Sequence, residues 1–311
     1  MTELKVTKEQ EKAVKAIGFL RNRGTDNFSG RVITVNGKVS AEQMTAISSA
    51  ARRYGNGTIL MTTRLTVECQ GIPFEKLEAF RAELAAAGLE TGGTGTKVRP
   101  VVSCKGTTCQ YGLIDTYALS EEIHERFYHG YSQVKLPHKF KIAVGGCPNN
   151  CVKPDLNDMG ITGQLIPAPD KENCRGCKQC VVENFCPMGA AKLIKGLLSI
   201  DSELCNNCGR CIGRCPFGAV PEGRVGYRLY AGGRWGKKTK IGKALNKIFT
   251  EKAEALNTLE KAILFFREEG LPGERFADTI ERAGFEKTEK VLLSDEILTR
   301  KEKILSQSGK S

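Results

Sequence analysis

Residues 174–215 hold eight cysteines in two runs, and no other stretch restricts the chain so tightly. Cys174, Cys177, Cys180 and Cys186 precede Pro187; Cys205, Cys208, Cys211 and Cys215 precede Pro216. The second run is C-x2-C-x2-C-x3-C-P, the bacterial iron–sulfur spacing in which three close thiolates hold one cubane and the fourth reaches across to the other. The pattern predicts one [4Fe–4S] cluster on Cys174, Cys177, Cys180 and Cys215, and a second on Cys186, Cys205, Cys208 and Cys211. The first run has five residues between its third and fourth cysteines instead of three, which widens a loop and removes no ligand. Zinc uses two C-x2-C pairs per site. Here each run carries a third cysteine at the same spacing and ends in Cys-Pro, which favours iron–sulfur. A disulfide framework belongs to small secreted domains, not to a chain of 311 residues.

That length allows about two domains, and 40% apolar residues suffice for packed cores. The opening MTELKVTKEQ is charged and has no apolar h-region, and no long apolar run follows, so neither a signal peptide nor a membrane span is expected. Thirteen cysteines used as thiolates need a reducing compartment; the reading is cytoplasm, in a cell with little oxygen. The net charge of +12 is not accompanied by a nucleic-acid-binding motif. It suits anionic cubanes and an acidic substrate or redox partner instead. The three histidines, His124, His129 and His138, form no spaced pair, which disfavours zinc hydrolase, histidine-ligated haem and His-based acid–base schemes.

Residues 1–92 read as an α+β unit. A strand is expected at 31–36, then a helix capped by Ser40 and Gln43 that passes Met44, Ile47 and Ala51 to Tyr54 and stops at Gly55. Strands at 58–61 and 65–69 precede a second helix that starts at Pro73, buries Leu77, Phe80 and Leu84, and stops at Gly88. This order suggests a ferredoxin-like layer, with Cys69 as a buried strand residue. The glycines of TGGTGT (91–96) lack a dinucleotide fingerprint, and no Walker lysine motif occurs, so electrons must come from outside the chain. An amphipathic helix is expected over 252–267 through Leu256, Leu259, Ile263 and Phe266, and a helix trailing into a mobile tail over 286–311.

A third cysteine group pairs Cys104 and Cys109 (C-x4-C) with Cys147 and Cys151 in GGCPNNC. The spacing fits a cubane assembled from two loops, with zinc the competing reading. Between the pairs runs LPHKFKIAV, where Lys139 and Lys141 alternate with Phe140 and Ile142 in strand period and so face one way.

Taken together, Cys104/Cys109, GGCPNNC, SGRVIT leading to Gln43, MTTRLTVECQGI, KVRPVVSC and LPHKFK resemble the siroheme sulfite and nitrite reductases. In residues 223–290, YRLYAGGRWGKKTKIGKAL and GERFADTIERAGF extend the resemblance over most of the chain. It implies an α+β fold: a ferredoxin-like domain over 1–92, a siroheme-binding α/β domain over 93–167 and 222–311, and an inserted bacterial-type 2[4Fe–4S] ferredoxin domain over 168–221. The implied cofactors are siroheme and three [4Fe–4S] clusters, with Cys151 bridging the Cys104/Cys109/Cys147/Cys151 cubane to the siroheme iron. The resemblance places Arg31, Arg99, Lys139 and Lys141 around the oxyanion, and Arg64, Asn149 and Arg234 on the siroheme.

The implied activity is six-electron reduction of sulfite to sulfide, with electrons entering through the ferredoxin domain from a free ferredoxin or from flavin and iron–sulfur partner subunits. Lys139-Phe140-Lys141 has the sulfite enzymes' Lys-x-Lys, where nitrite enzymes tend to Lys-x-Asn. Nitrite reduction on the same scaffold, and a non-catalytic electron-transfer subunit, are the alternatives. Two departures stand out: the first cysteine pair is C-x4-C where several family members have C-x5-C, and the chain has one module where the assimilatory enzymes have two. The second predicts a homo-oligomer, with one chain's basic residues completing its partner's site.

Overall fold

The computed structural model describes residues 6–307. In chain order its elements are α1 (Lys8–Ala16), β1 (Phe19–Arg21), β2 (Asn27–Val32), α2 (Ala41–Tyr54), β3 (Ile59–Met61), β4 (Val67–Pro73), α3 (Leu77–Ala86), β5 (Val102–Ser103), α4 (Thr116–Ile123), β6 (Ile142–Gly145), β7 (Met159–Ala168), α5 (Val181–Phe185), β8 (Ala191–Ile194), β9 (Leu197–Ile200), β10 (Glu222–Ala231), β11 (Lys243–Phe249), α6 (Lys252–Glu269), α7 (Phe276–Ala283), α8 (Phe285–Leu293), α9 (Glu296–Thr299) and α10 (Lys301–Ser306). They form two compact units. The first takes in the described residues up to Ser103, then Ala118–Ile142 and the described residues from Glu260 onward; the second is Cys104–Tyr117 and Ala143–Leu259.

The first unit opens with an antiparallel sheet in the order β1-β2-β4-β3. Strand alternation buries Phe28, Val32, Val67, Cys69 and Ile72 against Ile47, Ala50 and Ala51 of α2 and Leu77, Phe80 and Leu84 of α3. The α2 capping box forms as expected: the Gln43 amide donates to Ser40 Oγ at 3.1 Å and the Ser40 amide to Gln43 Oε1 at 3.0 Å. The strand expected at 31–36 lies instead at Asn27–Val32. Asn36 and Gly37, with φ of 55° and 84°, turn the chain so that Val35 bridges Lys38, and this reversal ends the strand early. β4 likewise starts at Val67, because Leu65 (φ 59°) sits in a turn closed by the Thr62 amide on the Thr66 carbonyl at 2.9 Å. A 3-10 turn at Phe74–Lys76 stands between Pro73 and α3.

The rest of the first unit is held by aromatic and charged packing. The Phe140, Phe266 and Phe276 rings form a triangle with centroids 5.2–5.9 Å apart. Glu260, largely buried, accepts from Tyr131 Oη at 2.6 Å and pairs with Arg126 and, at 2.7 Å, Lys301. Burial pushes the Glu260 carboxyl up, but Lys301, Tyr131 and Arg126 outweigh it and hold the pKa down at about 2. The helix expected at 252–267 is α6, with Leu256, Leu259, Ile263 and Phe266 buried. The C-terminal stretch holds α8, α9 and α10 rather than one helix; of the expected tail, residues 308–311 lie outside the described residues.

In the second unit the strands run in the order β11-β10-β7-β6, with β10 antiparallel to both β7 and β11. The cysteine-rich segment contributes α5 and the β8–β9 hairpin, which turns at Lys195-Gly196, both at positive φ. Its buried core is small: Val182, Ala191, Leu198, Ala219 and Val220, with Cys174, Cys180, Cys186, Cys211 and Cys215 packed against it. The segment is tied to β7 where the Leu165 amide donates to the Asn207 carbonyl at 2.8 Å.

Candidate cluster-binding and anion-binding sites

Twelve of the thirteen cysteines gather in three groups in the second unit. Cys174, Cys177, Cys180 and Cys215 line one cavity, of about 200 Å³, together with Val182, Leu193 and Leu198. Cys186, Cys205, Cys208 and Cys211 line another. The two groups are therefore crossed between the runs. Backbone amides point at the sulfurs: Leu198 N donates to Cys174 Sγ at 3.2 Å and Asn207 N to Cys205 Sγ at 3.4 Å. At Cys186 burial raises the thiol pKa, but the amides of Ala191, Met188, Ala190 and Gly189 outweigh it and bring the pKa below its ordinary value. Such N–H···S bonds stabilise thiolate charge and raise the potential of a bound cluster. Cys211 lies deeper, and burial pushes its thiol up to about 11, with Cys205, Cys208 and Cys186 adding repulsion.

Cys104, Cys109, Cys147 and Cys151 form the third group. Burial and then the charges of Cys104, Cys151 and Cys109 raise the Cys147 thiol, with the Asn149 amide opposing. Their two loops meet through glycine. A Cβ on Gly146 would stand 2.8 Å from Gly106 Cα and 3.4 Å from Cys104 Sγ, so only a bare backbone permits this approach, and the Gly146 amide donates to Cys104 Sγ at 3.1 Å. The Thr116 hydroxyl fixes the first loop by donating to the Cys104 carbonyl at 2.8 Å. Cys151, the predicted bridge, is the exposed member. Asn149 is exposed beside it in sequence. Arg234 lies between β10 and β11, its backbone paired with Lys240 and its Nε donating to the Lys238 carbonyl at 2.8 Å.

The remaining cysteine, Cys69, is a fully buried β4 residue whose thiol burial pushes up to about 12, so it stays protonated.

The predicted anion residues are in the first unit. Segment 96–99 runs beside 136–140: the Phe140 amide donates to the Lys97 carbonyl at 3.0 Å and the Arg99 amide to the Phe140 carbonyl at 2.8 Å. Phe140 and Ile142 are fully buried, so Lys139 and Lys141 share the opposite side. Burial, then the charges of Lys139, Arg275, Arg99 and Lys141, hold His138 below its ordinary pKa. The His138 Nδ1 accepts from the Lys139 amide at 2.8 Å.

Arg31 is placed differently. It grips Glu68 through Nε at 2.9 Å and Nη2 at 2.6 Å, and donates to the Gly93 carbonyl, which Arg99 also uses. Its charge is thus matched by a carboxylate that the sequence reading did not anticipate. Arg64 donates to the carbonyls of Pro100 at 2.7 Å and Ile142 at 3.3 Å.

Sequence reasoning missed Arg275, which has no local signal because it reaches this group from a distant stretch. It also passed over His138, discounted for lacking a spaced partner. The histidines gave a second correction: His124 and His129 do come together, because residues 124–129 form a π-helical turn.

Three groups of four cysteines are a donor set that iron–sulfur clusters take. Residues 94–300 match the nitrite and sulphite reductase 4Fe-4S domain family, and residues 21–87 the nitrite/sulfite reductase ferredoxin-like half domain. The chain belongs to the siroheme nitrite and sulfite reductase family. It is 32% identical to an uncharacterized protein of Methanocaldococcus jannaschii over 84% of this chain and 89% of that protein. It is also 32% identical to that organism's coenzyme F420-dependent sulfite reductase, over 79% of this chain but only 39% of the relative's length. In fold it resembles dissimilatory sulfite reductase I, with a TM-score of 0.68 and 23% identity over 86% of this chain and 69% of that one. Among the described residues no helix is long and apolar enough to cross a membrane.

Proposed function

We propose that the chain is a siroheme-[4Fe–4S] sulfite reductase that takes sulfite to sulfide with six electrons from an external donor. The observation that carries this reading is that Arg31 and Arg99 meet at the Gly93 carbonyl while the Arg99 backbone pairs with Phe140, between Lys139 and Lys141, in a chain of this family with twelve grouped cysteines. A pure electron carrier has no use for an anion pocket. The cysteine groups fit cubanes in number, in spacing and in their amide donors. Cys104, Cys109, Cys147 and Cys151 would hold the cluster coupled to siroheme through Cys151, and Arg64, Asn149 and Arg234 would hold the macrocycle. When bound, the clusters would relay the donor's electrons and the siroheme would supply the metal for sulfite.

The chain's own residues do the rest. Arg99 stays protonated and offers two N–H groups to two oxygens of an oxyanion at once. Lys139 and Lys141 are point charges with donatable protons, which matters because each oxygen leaves as water. His138, held below its ordinary pKa by those cations, is neutral at physiological pH and fixes the Lys139 backbone. Lys-x-Lys at 139–141 favours sulfite over nitrite. The cysteine-rich segment 168–221 would be the electron entry, fed by a ferredoxin or by partner subunits. Relatives named as subunits of anaerobic and of dissimilatory-type sulfite reductases support a multi-subunit or homo-oligomeric assembly.

The test is sulfide production by anaerobically purified protein with reduced methyl viologen as donor. Sulfite should give sulfide stoichiometrically, and Lys141→Asn should move preference toward nitrite. No turnover of either anion would leave the electron-transfer reading.

A further inference from the structure

A second group of ligating side chains in the first unit is separate from these residues. Glu90, His124 and His129 each offer one ligand atom, and these atoms all lie within 4.8 Å of one another. The juxtaposition depends on the π-helical turn His124–His129. Five residues along an α-helix rotate by about 500°, which sets the two side chains roughly 140° apart. The i→i+5 bonding of a π turn brings such residues to one side, and these turns recur at functional sites. Here the two imidazole centroids are 4.6 Å apart.

Two further observations point to a ligand. His124 is 1% exposed, and its Nδ1 is buried with no hydrogen-bond partner; an orphaned buried polar atom costs about 1–3 kcal/mol. The Tyr128 ring packs against that imidazole, centroids 4.6 Å apart and tilted by 33°, while its own hydroxyl accepts from the Gly93 amide at 3.1 Å. His129, for its part, is placed as metal-binding histidines are: both Glu125 oxygens lie 3.1 Å from Nδ1, and Nε2 faces Glu90 Oε1 at 3.0 Å. A carboxylate behind one ring nitrogen fixes the tautomer and aims the other at a metal. The group borders a cleft of about 760 Å³ that is also lined by Lys38, Ser40 and Gln43.

We propose that Glu90, His124 and His129 bind a divalent first-row transition-metal ion of the zinc type, with Glu125 orienting His129 and the remaining coordination position open to the cleft. Two imidazoles and a carboxylate are a donor set zinc takes, at about 2.0–2.2 Å from each atom. Reaching that distance needs a shift of about 1 Å, and the two ligands that must move are the surface ones, with side chains 41% (His129) and 51% (Glu90) exposed. The simpler account, a histidine paired with two glutamates, leaves His124 Nδ1 unexplained. The ion would tie the loop after α3 to the π turn, and the site stands whether or not the sulfite reading does.

The experiment uses cluster-loaded protein, stripped of loose metal with a chelator, given equimolar zinc(II) and desalted. Zinc is counted and its X-ray absorption edge recorded, a signal that iron does not obscure. One zinc per chain should be retained, with a nitrogen/oxygen shell that includes two imidazoles and no sulfur. His129→Ala and Glu90→Gln, both at surface positions, should each lose at least about tenfold in zinc affinity, and Glu125→Gln about 10- to 100-fold, with iron content unchanged. No retained zinc, a sulfur shell, or unaltered affinity in His129→Ala would overturn the proposal.

Discussion

The basic segment 139–141 of the first unit and the cysteine-rich segment of the second are built on opposite principles. Lys139 and Lys141 are aimed by what lies behind them: Phe140 in a triangle of phenylalanines and Ile142 buried. The α/β layer of that unit buries its own continuous core. Segment 168–221 buries only Val182, Ala190, Ala191, Leu198, Ala219 and Val220 of its apolar residues, with several cysteines packed on that cluster, a core that does little to offset the entropy of ordering it. On the proposed reading its order would come from bound clusters, because the free energy of binding there would be free energy of folding. A side chain aimed by a core survives loss of the cofactor; a loop shaped around a cluster does not.

Stripping iron is the strongest way to break this contrast. Amide exchange protection should collapse across 171–219 while β2, β4 and α2 keep theirs, as read by hydrogen–deuterium exchange with mass spectrometry; uniform behaviour would refute it. Gly146→Ala should come next. Its Cβ would meet Gly106 backbone at 2.8 Å, so the Cys104–Cys109 and Cys147–Cys151 loops should separate and about four of the twelve cluster iron atoms be lost, with the other two clusters retained on iron analysis. Lys141→Ala tests the other region. Losing a charge-assisted bond of about 1.5–3 kcal/mol should lower kcat/KM for sulfite tenfold or more, with the melting temperature and visible spectrum unmoved.

Glu260→Gln has the smallest effect. The depressed carboxyl pKa is equivalent to about 3 kcal/mol, reduced to about 2 by solvent screening, since Arg126 and Lys301 are 33% and 38% exposed. The sign follows from the direction: the folded pKa lies below the unfolded value, so the stabilisation is complete above about pH 5 and is lost as pH falls toward 2. Denaturant unfolding at pH 7 and pH 3 should show the wild type approaching the variant only at the lower pH.

The same contrast explains what could be read in advance. Local patterns were legible: the Ser40–Gln43 box, the Phe140/Ile142 alternation, the α6 stripe and the three cysteine groups, since each is set by spacing along a few turns or loops. The T-x-x-Q box at Thr7 and Gln10, which caps α1, was equally legible and was passed over. What needed the fold was pairing at long range. Glu68 on β4 neutralises Arg31 on β2 through strand register, and Arg275 joins Lys139 and Lys141 through helix packing. The π turn that unites His124 and His129 follows no α-helical spacing, so periodicity hid it.

The central claim, a tetrapyrrole coupled to the Cys104–Cys151 cubane beside two further clusters, is tested most directly by the visible spectrum of anaerobically purified protein, with iron counted and pigment extracted from the same sample. The account predicts sharp siroheme bands, an acid-extractable macrocycle at one per chain and about thirteen iron atoms. Broad brown absorption with about twelve iron atoms and no extractable pigment would contradict it and leave an electron relay.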